Sequence, residues 1–274
     1  YLTKAMEGLE IPGVGLALVQ NDRIVWEGGL GTTEIGGGQQ VDEDTSFMVA
    51  SNTKGMATLL LSTLVDEGKL AWDQKVTEVY PEFRLGSAET TDSVLVEHLI
   101  CACTGLPRKD MQWVMNTSRE TPASDTFVQL AATEPTSGFG EVFQYNNLMA
   151  SAAGYIGGHL IYPDMEIGAA FDRAMDERIF GPLGMTRTTF DYDAAMDDNW
   201  ARPHARGFAG PVETAPMQWN WMVYPYRPAG GVWSTAHDMA LYALNELREG
   251  TLADGTDLVS AGNLLKRRER YVPI

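Results

Sequence analysis

The sequence predicts an α/β protein of the α+β type: an antiparallel sheet flanked by helices, joined to a mostly helical second domain. Three observations predict it. Strand-type alternation fills residues 14–27, helical periodicity takes over from Ser51 to Glu67, and from about residue 70 to 230 helical segments alternate with loops. Taken in order, Val14 to Gln20 and Arg23 to Glu27 flank the polar turn Asn21-Asp22 and read as a hairpin. Two strands do not make a stable sheet, so further strands are expected. A Gly-rich stretch from Gly28 to Gly38 and the turn Asp42-Glu43-Asp44-Thr45 lead into Phe47-Met48-Val49-Ala50. Met56, Leu59, Leu60, Thr63 and Leu64 then recur at helical spacing and Gly68 supplies a stop, which puts Ser51 at or near a helix N-terminus. Helices follow over Val94–Ile100, Thr126–Ala132, Leu148–Leu160 and Ile167–Ile179, the last ending at Gly181-Pro182. Residues 201–228, rich in proline and aromatics, read as a long ordered loop, and Ser234 or Thr235 caps a helix from Ala236 to Arg248. The expected division places residues 1–70 and 231–274 in the α/β domain and 71–230 in the helical one.

Composition narrows the function classes. With 274 residues, 44 % hydrophobic and 21 % charged, the chain buries a sizeable core without metal or disulfide staples. Its 20 Lys and Arg against 37 Asp and Glu leave a net charge of −17, a field that repels nucleic-acid backbones and anionic lipid surfaces. No apolar run reaches the length of a membrane span, and a chain opening on Tyr1 with no initiator Met or signal segment reads as a mature or trimmed soluble protein. Cys101 and Cys103 are separated by one residue, a spacing at which an unstrained disulfide is hard to close, so both are expected to be reduced core residues. His98, His159, His204 and His237 fall at no ligand spacing, and no metal or cofactor is expected.

The chemistry-bearing residues come next. Ser51 and Lys54 stand three apart at a helix start, so a hydroxyl and an ammonium share one face. A serine hydroxyl attacks a carbonyl only if something takes its proton, and a desolvated lysine can do so. With 11 Ser and 6 Lys in the chain, this pair alone is a weak signal, open also to the bland reading of a capping serine beside a surface lysine. Tyr145 and Asn147 form a second step, in which a phenol and a carboxamide project together into a cleft. The bland reading there is a core tyrosine with a satisfied hydroxyl.

The surrounding blocks carry a resemblance. They are Ile11-Pro12-Gly13, Phe47 to Lys54, Leu64 to Leu70 with Trp72-Asp73 and Val76, Glu97 to Ile100 with Thr104-Gly105-Leu106-Pro107, Phe143 to Asn147, Gly181 to Met185 with Thr188, and Pro228 to Val232 leading to Ser234–Met239. In these, over nearly its whole length, the chain resembles the serine β-lactamase and penicillin-binding-protein superfamily. The branch is that of class C β-lactamases, D-Ala-D-Ala carboxypeptidases, D-aminopeptidases and β-lactamase-like esterases. The resemblance implies a β-lactamase/transpeptidase-like fold, Ser51 as the acylated nucleophile, Lys54 as its proton-managing neighbour, Tyr145 as general base and later acid, and Asn147 as a ligand of the substrate carbonyl.

Two departures matter. Ala102-Cys103-Thr104 replaces the family's usual His-Thr-Ser before Gly-Leu-Pro, where a local packing change is expected. The third motif, a Lys-Thr-Gly or His-x-Gly strand whose N–H forms half of the oxyanion hole, does not follow Gly231, so the sheet is expected to be incomplete in this chain. A C-terminal continuation or second fragment is the expected partner, with Lys266-Arg267-Arg268-Glu269-Arg270 read as an exposed basic segment near a break. The expected function is a serine hydrolase acting on amides or peptides of D-amino-acid type or on esters, with β-lactam binding or hydrolysis beside it. A non-catalytic penicillin-binding or sensor protein is the competing reading. Trp221 and Trp233, among the aromatics Trp113, Trp219, Tyr224 and Tyr226, are expected to line an acyl pocket. Family members are commonly exported, which implies a periplasmic or secreted location.

Overall fold

The hairpin forms as its alternation requires. In this computed structural model, which describes residues 1–208 and 210–272 and only the backbone at Trp113, β1 (Gly13–Gln20) pairs antiparallel with β2 (Arg23–Glu34), from Gln20 opposite Arg23 to Gly13 opposite Gly31. Asn21 and Asp22 both take left-handed φ, 50° and 63°, the conformation that a two-residue hairpin turn demands and that Asn and Asp tolerate. β3 (Gly37–Gln40) adds to β2, and the order β1-β2-β3 leaves β1 at an edge. A short helix, α1 (Leu2–Leu9), precedes the sheet.

β4 (Phe47–Met48) leads through a 3₁₀ turn, Ala50–Asn52, into α2 (Thr53–Asp66). This helix is the spine of the molecule. Met56, Ala57, Leu59 and Leu60 pack into one buried cluster and Leu61 and Leu64 into another, so it is covered all round, as an apolar central helix must be. The first cluster joins it to α5 (Ile167–Met175), Phe180, Val232 and Leu264; the second joins it to α3 (Asp125–Ala131) and α4 (Asn147–Ile161). A Cβ at Gly158 would stand 2.5 Å from the Phe171 backbone, so glycine is what lets α4 and α5 approach.

Farther along, the segment 201–228 carries more regular structure than a loop: a ribbon of β5 (His204–Arg206) and β6 (Val212–Thr214), then helical turns at Gln218–Trp221 and Tyr224–Ala229. β7 (Trp233–Ser234) then pairs with β4, which brings the chain around residue 230 against the start of α2. α6 (Ala236–Leu247) is capped by the Thr235 hydroxyl, which accepts from the Asp238 N–H, and packs across β1. α7 (Ala261–Lys266) closes over α2. The other predicted helices hold with altered ends: Val94–Ile100 shortens to a 3₁₀ turn at Val96–Leu99, and Ile167–Ile179 passes into a π turn at Asp176–Phe180. Among the described residues, no helix is long and apolar enough to cross a membrane.

One expectation is corrected and a second is narrowed. Cys101 and Cys103 are joined in a disulfide. Ala102 takes a left-handed φ of 51°, which folds the segment and brings the two Cα atoms to 5.1 Å, inside disulfide reach. The basic run is exposed at Arg268, Glu269 and Arg270 but not throughout. The Arg267 side chain is 8 % exposed, donating to the Gly55 carbonyl at 2.8 Å and pairing with Glu246, which also accepts from Arg268. Its charges complement carboxylates on neighbouring elements.

Candidate active site

Three elements converge on Ser51. The 3₁₀ turn holds it at the surface, α2 places Lys54 one turn on, and the loop before α4 delivers Tyr145. The Asn146 carboxamide oxygen accepts from the Met149 N–H at 2.9 Å, capping α4, while its nitrogen donates to the Pro107 carbonyl. Tyr145, one residue before that cap, is thereby aimed back over the start of α2. Its hydroxyl donates to Ser51 Oγ at 2.7 Å, and Lys54 Nζ donates to the same oxygen at 3.1 Å. Lys54 Nζ also donates to the Ala229 carbonyl at 2.5 Å and lies 4.7 Å from the centre of the Tyr145 ring.

The backbone just before Ser51 is unusual. Ala50 has φ 48°, the left-handed region that costs a side-chain-bearing residue about 1–2 kcal/mol. Its neighbours hold it there: the Thr53 hydroxyl donates to the Ala50 carbonyl at 2.6 Å, and the Val49 N–H donates to the Val232 carbonyl across the β4–β7 junction. Surrounding contacts thus keep local strain beside a surface serine.

Burial pushes the Lys54 ammonium below the ordinary lysine range. Tyr145 and the Asp110 carboxylate oppose that push, and Arg108 adds to it. Lysine is therefore closer to its neutral, proton-accepting form here than on the surface, within reach of the hydroxyl it would serve. Ser51, Lys54 and Tyr145 form one hydrogen-bonded triad.

Asn147, the first residue of α4 and two positions after Tyr145, donates from Nδ2 to Asp110 Oδ1 at 3.0 Å. Trp233 does not join them. Its side chain is 1 % exposed, edge-on to Tyr192 and Trp200, so contact with a substrate would require the core to repack. Trp221 is half-buried against that same cluster, Tyr226 is fully buried, Tyr224 meets Tyr192 edge-on, and Trp219 is exposed; the Trp113 side chain lies outside the described residues. Of the aromatics expected to line an acyl pocket, Trp233 and Tyr226 belong to the core and Trp219 lies on the surface. Sequence reasoning missed Ala229, Arg108 and Asp110 as neighbours of the triad. The blocks Pro228–Val232 and Gly105-Leu106-Pro107 pointed at their segments, but no periodicity or spacing marks the residues themselves.

The fold and this constellation together define a member of the serine β-lactamase and penicillin-binding-protein superfamily. The chain belongs to the beta-lactamase family, whose model matches residues 1–272. It is 27 % identical over 262 residues to penicillin-binding protein 4 of Amycolatopsis lactamdurans, a match covering 95 % of this chain and 66 % of that protein. Protein flp of Staphylococcus aureus (strain NCTC 8325 / PS 47) is 23 % identical over 180 residues, 66 % of this chain and 35 % of the relative. The chain thus spans under two thirds of the length of these curated relatives. Among solved structures, the octameric penicillin-binding protein homologue from Pyrococcus abyssi superposes with a TM-score of 0.79 at 20 % identity, covering all of this chain and 59 % of that one, a likeness of fold.

Proposed function

We propose that the protein is a serine hydrolase that forms an acyl-enzyme on Ser51 and releases it to water. The observation that carries this reading is the triad itself, with Ser51 Oγ 2.7 Å from the Tyr145 hydroxyl and 3.1 Å from Lys54 Nζ. When the triad is one proton short, Ser51 Oγ gives its proton to the relay as it bonds to the substrate carbonyl carbon. That deficit belongs to the coupled pair of Lys54 and Tyr145 rather than to either alone. The relay returns the proton to the leaving amine or alkoxide, and water then attacks the ester by the same path in reverse. The Ser51 N–H, in the first turn of the helical segment, supplies one donor to the carbonyl oxygen. A strand beyond these residues, pairing along the free β1 edge, supplies the second. The greater length of the curated relatives and the edge position of β1 support that part of the reading.

Amides and peptides of D-amino-acid type, or esters, are the proposed substrates, ahead of dedicated β-lactam hydrolysis, and export is the proposed location; both rest on the family resemblance. A purely penicillin-binding role is the second reading, favoured by the name of the Amycolatopsis relative. One experiment addresses both. The protein is incubated with a fluorophosphonate and with a labelled penicillin, and a Ser51→Ala variant serves as control. A fluorophosphonate adduct on Ser51 with a penicillin adduct that turns over supports hydrolysis. A penicillin adduct that persists supports binding, and the absence of both adducts refutes the acyl-enzyme.

A further inference from the structure

Asp110 is a charged group beside the triad to which the acyl-transfer chemistry assigns no task. Its carboxylate joins two residues of the site: Oδ1 accepts from Asn147 Nδ2 at 3.0 Å, and Oδ2 accepts from Arg108 Nε at 2.5 Å. The Arg108 guanidinium in turn stands 5.2 Å from the centre of the Tyr145 ring, which Lys54 approaches to 4.7 Å. One side chain therefore reaches Asn147 directly and Tyr145 through Arg108.

A carboxylate only accepts hydrogen bonds, whereas a carboxamide has a donating and an accepting end. Asp110 consequently admits one orientation of Asn147, nitrogen inward, with Oδ1 turned away from it. One amide N–H that would otherwise be offered to a substrate carbonyl is taken up. Arg108 has a side chain 61 % exposed, and a cation–π contact at such a site is too weak by itself to hold so flexible a side chain. The ion pair with Asp110 holds it over the ring.

We propose that Asp110 is a positioning residue that sets the orientation of the Asn147 carboxamide and seats Arg108 over the Tyr145 ring. This deepens the hydrolase reading and, for its effect on rate, rests on it. The charges around Lys54 give the proposal a signature that a scaffolding residue would lack. Tyr145 and Asp110 favour the ammonium and Arg108 disfavours it, so removing the carboxylate and removing the guanidinium act in opposite directions on the proton relay.

The test uses the full chain, with Asp110→Asn, which keeps the shape but donates as well as accepts, and Arg108→Gln. Rates of fluorophosphonate labelling at Ser51 are followed against concentration and pH. The side-chain amide resonances of Asn147, assigned by their loss in Asn147→Asp, are followed by nitrogen–proton NMR. In Asp110→Asn the maximal labelling rate is expected to fall about tenfold with little change in half-saturating concentration, as for a misplaced group. Its rising pH limb is expected to move to lower pH, and that of Arg108→Gln to higher pH. The Asn147 amide resonances are expected to shift in Asp110→Asn. Unchanged resonances overturn the proposal whatever the labelling shows, as do pH limbs that move together or not at all. A wild-type protein that takes no label at Ser51 refutes the hydrolase reading instead, and the amide resonances then decide the orientation claim by themselves.

Discussion

Lys54 meets two opposed demands: it is buried enough to resist its charge, yet it donates to a serine and a backbone carbonyl and lies beside a tyrosine ring, each of which stabilises an ammonium. Burial wins, so its pKa lies below the ordinary lysine value of 10.5. Because the reactive relay is the deprotonated one, turnover is expected to rise with pH and to level off below that value, with the active fraction lost as pH falls through the lowered pKa. A pH–rate profile of ester hydrolysis checks this, and a limb centred at or above the ordinary lysine range would contradict it. Lys54→Ala and Tyr145→Phe are each expected to slow turnover at least about a hundredfold, the scale of a lost general acid–base group. Near-normal rates in either would reassign the base. The sequence made these three residues legible because two of them lie within one helical turn and the third lies in a recognisable block. It could not reveal Asp110 as their neighbour, because a contact between residues 37 positions apart follows from how two distant segments fold together.

At the scale of elements, the loop carrying Tyr145 leans on the segment around the disulfide. The Gln144 N–H donates to the Ala102 carbonyl at 2.8 Å, the Gly140 N–H donates to the Cys103 carbonyl at 2.7 Å, and Thr136 donates to Gly105. Linking residues two apart removes little chain entropy, whereas a small displacement of a catalytic group is costly. Replacing both cysteines by serine is therefore expected to lower the melting temperature by only about 2–4 °C, the shift of roughly 1 kcal/mol. The same change is expected to slow Ser51 labelling about tenfold. A variant that melts far earlier but labels normally once folded would reverse that assignment. Elsewhere α6 is tied to β2 by His237 Nδ1 and Glu27 Oε2, 2.8 Å apart. The hydrogen bond to Glu27 raises the His237 pKa above its ordinary 6.5, so this tie is fully present below that value and is lost as pH rises through the raised one. Urea unfolding between about pH 5.5 and 8.5 is expected to show that loss in the wild type and not in His237→Gln. Identical slopes in the two proteins would dismiss it.

For the whole molecule, the approach of residue 229 to Lys54 depends on a buried anchor two residues earlier. The Arg227 side chain, 5 % exposed, grips Asp172 of α5 through Nε at 2.6 Å and Nη2 at 2.9 Å and donates to the Tyr224 carbonyl. Burial pushes the Asp172 carboxyl up and the guanidinium pulls it back down. Arg227→Met would leave that carboxylate without its partner and is expected to cost about 3–5 kcal/mol in urea denaturation, far more than loss of a surface pair. A cost under about 1 kcal/mol would mean that solvent reaches Asp172 in its place.

What the sequence by itself determined is local and periodic. The hairpin is written in alternation around Asn21-Asp22, α2 in its run of leucines, α6 in its threonine cap, and Ser51 in its position at a helix start. Each depends on neighbours a few residues apart, where geometry is set by backbone preferences. Tertiary structure alone decided the rest. It closed Cys101 to Cys103 through a left-handed Ala102, drew Arg267 into the body, sent Trp233 to the core instead of the cleft, and set Asp110 beside Asn147. These outcomes turn on which distant surfaces are removed from water together and which charges find partners there, and such competition is settled only when the whole chain packs.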